Sequence, residues 1–89
     1  MDSKKCWVSG RVQGVCYRGT AQARAIELNI TGYARNLADG RVEVLACGEA
    51  ERVAQFVAWL RIGPTAAHVT GVEVRDHRPE PWPEGFSTG

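Results

Sequence analysis

Hydrophobic and polar positions alternate with period two along several short stretches of this chain, and repeat with helical spacing along two others. Between Cys6 and Val12, the residues Cys6, Val8, Gly10 and Val12 share one face, and Trp7, Ser9 and Arg11 share the other. That pattern predicts a half-buried strand ended by Gly14. Gly19 to Leu28, GTAQARAIEL, is rich in helix formers, with Ala21, Ala25 and Leu28 on a narrow stripe and Ile26 off it. Ile30 to Asn36, ITGYARN, reads as a second strand. Asp39-Gly40 then signals a hairpin, because the turn needs positive φ. RVEVLACG, ending at Gly48, alternates again with Val42, Val44 and Ala46 together.

Glu49 to Arg61 carries the clearest helical pattern, with Val53, Phe56, Val57 and Leu60 on one face. Glu49 and Glu51 suit its positive end and Arg61 its negative end. Gly63-Pro64 stops it. His68 to Asp76, HVTGVEVRD, reads as a fourth strand with Val72 and Val74 inward. The tail holds Pro79, Pro81 and Pro83, which cannot donate to a ladder, so at most a short edge strand begins at Phe86. The order strand, helix, strand, strand, helix, strand is the split βαβ pattern. It predicts an α+β, ferredoxin-like sandwich, with two helices on one face of an antiparallel sheet and one domain over residues 1–89.

Composition adds exclusions. The 89 residues are 44% hydrophobic and 24% charged, which is ordinary globular usage and not that of a disordered chain. A net charge of +1 lacks the basic excess of a nucleic-acid binder, though it leaves room for a local basic pocket. No apolar run approaches the ~20 residues of a membrane span, and no apolar segment follows Lys4 and Lys5 as in a signal peptide. Cys6, Cys16 and Cys47 have neither CxxC nor metal-ligand spacing, and read as free thiols of a cytoplasmic protein. Size and charge suit a monomer.

Candidate chemistry gathers in GRVQGVCYR, Gly10 to Arg18, where a strand breaks into a glycine loop and meets a helix. Successive amides in such a loop can converge on an anion, and the helix N-terminus adds donors and partial positive charge. Arg18 would supply a permanently charged planar fork suited to phosphate oxygens. Neither a Walker A loop nor GxGxxG is present. On spacing alone, a tight connection with a surface arginine is the simpler reading. Asn36 before a turn is likewise at home on conformational grounds.

GRVQGVCYR resembles the signature of the acylphosphatase family, and a second signature follows in GYARNLADGRVEV, Gly32 to Val44. The resemblance spans roughly residues 5 to 75 and implies the same ferredoxin-like fold. It implies a phosphate-binding loop over Gln13 to Arg18, with the amides of Gly14, Val15, Cys16 and Tyr17 as donors. It further implies Arg18 as the phosphate-binding arginine and Asn36 as the residue that orients water. The implied activity is hydrolysis of small acyl phosphates to carboxylate and inorganic phosphate, by in-line attack of water, with no cofactor and no metal. GFSTG replaces the regular last strand usual in the family.

That chemistry asks little of the protein. A departing carboxylate is a weak base and needs no general acid, and the loop offers no His, Asp or Glu. A loose phosphoryl-transfer transition state needs positioning and charge stabilisation. Cys16 beside Arg18 suggests a phosphocysteine, but phosphatases of that kind need a longer loop between the two. His68 and His77 flank the fourth strand as surface residues. The alternative function is a non-catalytic ferredoxin-like module binding RNA or protein. Such RNA binders place aromatics on central strands, whereas the hairpin strands here supply only Tyr33, and Trp7, Trp59 and Trp82 share no strand face.

Overall fold

The computed structural model describes all 89 residues. Its elements run β1 (Asp2–Arg11), α1 (Tyr17–Glu27), β2 (Thr31–Asn36), β3 (Val42–Gly48), α2 (Ala50–Leu60), β4 (His68–Asp76) and β5 (Phe86–Ser87). The sheet order is β4-β1-β3-β2-β5. Cys6, Val8, Val42, Val44, Ala46 and Ala34 form the buried floor of the sheet. Ala21 and Ala25 of α1, and Val53, Phe56 and Leu60 of α2, close over it. The alternation in the strands and the stripe on α2 therefore meet in one core.

The sheet is mixed, where a wholly antiparallel one was expected. β1, β2, β3 and β4 pair antiparallel, but β5 lies parallel to β2, with Gly32 opposite Phe86 and Tyr33 opposite Ser87. The path of the chain explains this. β4 delivers it to the end of the sheet away from the loop after β1, so the tail re-enters from that end. Phe86 is anchored edge-on to Phe56, ring centroids 5.8 Å apart. Gly32 donates its N–H to the Gly85 carbonyl at 2.8 Å, which ties the short strand to β2.

β1 starts at Asp2, ahead of the expected Cys6. The polar stretch Asp2–Lys5 pairs with Gly48–Leu45 of β3, and Lys4 and Lys5 pair with Asp76 and Arg75 of β4. Backbone ladders impose no hydrophobic alternation there, so the pattern was silent. β3 is buried on both faces, because its outward residues are also covered. Leu45 sits between Lys5 and Tyr33 across the strands, and Cys47 Sγ lies 3.2 Å from Ser3 Oγ.

The outward face centres on Glu43, which is 8% exposed. It accepts from Trp7 Nε1 at 3.1 Å, Tyr33 OH at 2.6 Å and Arg35 Nη2 at 2.7 Å. Burial would raise its pKa, but the bonds from Tyr33 and Arg35 outweigh that and hold the carboxyl below the usual range. Arg35 also lies over the Tyr33 ring at 4.5 Å, so the aromatic and polar groups of this face are engaged with one another. No helix is long and apolar enough to cross a membrane.

Candidate active site

The loop after β1 is shaped by two left-handed residues, Gly14 at φ 75° and Cys16 at φ 60°. Glycine takes that conformation freely, whereas at Cys16 the surrounding fold must hold it. Its anchors are close by. Val12 is buried in the core, and Thr20 sends both its N–H and its hydroxyl back to the Cys16 carbonyl, at 3.0 and 2.8 Å. Tyr17, 1% exposed, donates its hydroxyl to the Leu60 carbonyl at 2.6 Å, so the start of α1 is fixed to the end of α2. Burial pushes the Tyr17 hydroxyl pKa up and keeps it a neutral donor. This buried contact explains why the helix begins at Tyr17, ahead of Gly19.

The amides from Gly14 to Gly19 donate to no backbone or side-chain acceptor in the protein. They belong to the loop and to the first turn of α1, whose donors have no intrahelical partner. The first turn contains no acidic residue, and Cys16 caps it with no side-chain bond. A row of free N–H groups, two left-handed residues and a helix N-terminus together make an anion-binding concavity.

Arg18 stands in the first turn of α1, half-buried. Its Nη1 donates to the Thr88 carbonyl at 2.7 Å, and it forms no ion pair with any carboxylate. The tail is itself held by Gln22 on the next turn of α1, whose Nε2 donates to the Phe86 carbonyl at 2.7 Å. One neutral acceptor thus aligns the guanidinium while its charge stays uncompensated. The support comes from the residue just past the polar, two-residue β5. Neither Gln22 nor Thr88 stands out in the sequence, since the acceptors are backbone carbonyls and carry no residue signature.

Asn36 is the exposed last residue of β2, paired with Val42, which in turn pairs with Val8 of β1. That register brings Asn36 to the sheet end from which the β1 loop leaves. Its side chain makes no hydrogen bond within the protein, so its donors and acceptor are free for water or ligand. Gln13, at the start of the loop, does not follow the amides around it. Its Nε2 donates to the Leu37 carbonyl at 2.9 Å and the Arg41 carbonyl at 3.0 Å, across the hairpin tip.

Two wider concavities lie away from this loop. One of about 510 Å³ is lined by Asp2, Asp76, Arg78 and Trp82 at the opposite end of the sheet. Another of about 350 Å³ runs between α2 and Val74 of β4, rimmed by Lys4 and Arg61. A group as small as a phosphoryl, held by backbone amides, needs no deep cavity.

The family model described as Acylphosphatase matches residues 4–88. An acylphosphatase of Halorhodospira halophila is 53% identical over 88 residues, covering 99% of this chain and 95% of the relative. One from Chromohalobacter salexigens is 51% identical over 85 residues, covering 96% and 93%. Among solved structures, acylphosphatase from Bacillus subtilis superposes with a TM-score of 0.94 at 34% identity, covering 100% of this chain and 99% of that one.

Proposed function

The chain belongs to the acylphosphatase family, and from that premise we propose that it hydrolyses the carboxyl–phosphate bond of small acyl phosphates, with Arg18 and Asn36 as its catalytic residues. The observation that carries the site assignment is the run of unpartnered amides from Gly14 to Gly19 beside a guanidinium without a carboxylate partner.

The phosphoryl group sits with its oxygens on the amides of Gly14, Val15, Cys16 and Tyr17, and Arg18 donates to the same oxygens. As the P–O bond to the acyl group lengthens, charge redistributes over oxygens already faced by fixed donors, with no reorganisation required at that moment. Asn36 holds a water in line with the breaking bond through its carboxamide. A phosphoryl oxygen accepts that water's proton, and the carboxylate departs unprotonated because it is a weak base. The products are a carboxylate and inorganic phosphate, and the chemistry calls for no metal. Phosphate monoesters are poor substrates in this scheme, because an alkoxide leaving group would need a general acid that the loop lacks.

The scheme draws its groups from one domain, and a small domain of net charge +1 suits a monomer. Free thiols at Cys6, Cys16 and Cys47 suit the cytoplasm. The test is phosphate release from acetyl and benzoyl phosphate, with a phosphate monoester as control. Turnover is expected to persist in chelator. Losing Arg18 or Asn36 to alanine is expected to lower it on the order of 10²-fold, the usual cost of one transition-state donor. Full activity in either variant would remove that residue from the mechanism.

A further inference from the structure

We propose that Gln13 is a positioning residue, a latch that sets the phosphate loop at a fixed distance from Asn36, and not a ligand of the phosphoryl group. The proposal rests on the acyl phosphate reading of the site, which it extends. Gln13 Nε2 lies within hydrogen-bonding distance of two carbonyl oxygens, those of Leu37 and Arg41, 24 and 28 residues further along the chain. Two carbonyl acceptors on one atom identify it as the amide nitrogen, and both of its hydrogens are then in use. The carboxamide atom left over is an acceptor, which a phosphate dianion would repel. The side chain therefore faces the hairpin for reasons of charge as well as geometry.

The attachment points are adjacent to the two halves of the site. Gln13 immediately precedes the amide run that begins at Gly14, and Leu37 immediately follows Asn36. The hairpin tip is tied within itself. Leu37 donates to the Arg41 carbonyl at 2.8 Å, Gly40 to the Leu37 carbonyl at 3.2 Å, and Arg41 N–H to Asp39 Oδ1 at 3.0 Å. A pull on the Leu37 and Arg41 carbonyls consequently moves the turn as a unit. The phosphate cradle has its own supports in Thr20, Tyr17 and the Arg18–Thr88 contact, all independent of the hairpin. Releasing the latch therefore leaves phosphate binding intact and lets the water-orienting carboxamide drift relative to phosphorus. A misplacement of about 1 Å there costs on the order of 10²-fold in rate.

Gln13→Met keeps the length of the side chain and removes both donors. Gln13→Glu puts a negatively charged acceptor against two carbonyl acceptors. Each variant is read by kcat for benzoyl phosphate and by competitive inhibition with inorganic phosphate. Expected is a fall in kcat of about 10- to 100-fold in both, larger for Glu, with the phosphate inhibition constant of Gln13→Met within about threefold of wild type, while Gln13→Glu also weakens phosphate through its added negative charge. Parallel loss of kcat and phosphate affinity in Gln13→Met would make Gln13 a phosphate ligand and overturn the proposal, as would unchanged kcat in both variants.

An NMR titration of the wild-type protein with inorganic phosphate reads the same point without a substitution. The amides of residues 14 to 18 are expected to shift while the Gln13 side-chain NH₂ resonances stay in place. A Gln13 NH₂ that shifts with the loop amides sinks the latch. Arg18→Ala at full turnover would instead sink the acyl phosphate site itself, a result the titration does not mimic.

Discussion

Ending the chain after Ser87 removes the Thr88 carbonyl that accepts from Arg18 Nη1 at 2.7 Å. A hydrogen bond to a charged donor contributes about 1.5–3 kcal/mol, and half-burial places this one near the lower end. About 1.5 kcal/mol of lost alignment corresponds to roughly a tenfold drop in kcat/KM. The new terminal carboxylate would compete with the substrate dianion for the same guanidinium, acting in the same direction. The fold should persist, because Phe86 keeps its packing on Phe56, its carbonyl keeps Gln22, and Gly32 keeps the Gly85 carbonyl. Loss of about 1.5 kcal/mol in a domain this size lowers Tm by about 6–12 °C. The assay pairs benzoyl phosphate hydrolysis with a thermal melt on the truncated chain. A folded truncation with wild-type kcat/KM would show that the tail does not align Arg18, and the electrostatic account of that arginine would fail.

Gly14→Ala tests backbone conformation alone, because nothing lies within 4 Å of an added Cβ while φ is +75°. About 1–2 kcal/mol of left-handed strain is expected, read as a several-fold weaker inhibition by inorganic phosphate; unchanged inhibition would mean the loop does not need this geometry. Glu43→Gln leaves three donors facing a single carbonyl oxygen, and should lower stability at pH 7 by about 2–3 kcal/mol in chemical denaturation. Because folding depresses the Glu43 pKa, that stabilisation is present above the ordinary glutamate value of ~4.3 and is lost as pH falls through the folded value. The gap between wild type and variant should therefore narrow as pH falls below the ordinary glutamate value, and a gap that stayed constant into acid would contradict the charged network.

The sequence by itself determined most of the framework. Period-two stretches located β1, β2, β3 and β4, and the Val53–Phe56–Leu60 stripe located α2, because burial of one face leaves a mark at every second or every third to fourth residue. GRVQGVCYR and GYARNLADGRVEV pointed to the candidate loop and to Asn36 through their resemblance to family signatures, whereas spacing alone left both open to purely conformational readings. Tertiary structure alone decided contacts made through backbone carbonyls or across long sequence separations. Polar Asp2–Lys5 became strand because two neighbours offered ladders. β5 ran parallel because of the end from which the tail returned. The alignment of Arg18 by Thr88, and the grip of Gln13 on Leu37 and Arg41, depend on acceptors that every residue carries. An acceptor common to all residues leaves no trace in composition, so only the folded chain reveals which carbonyl is used.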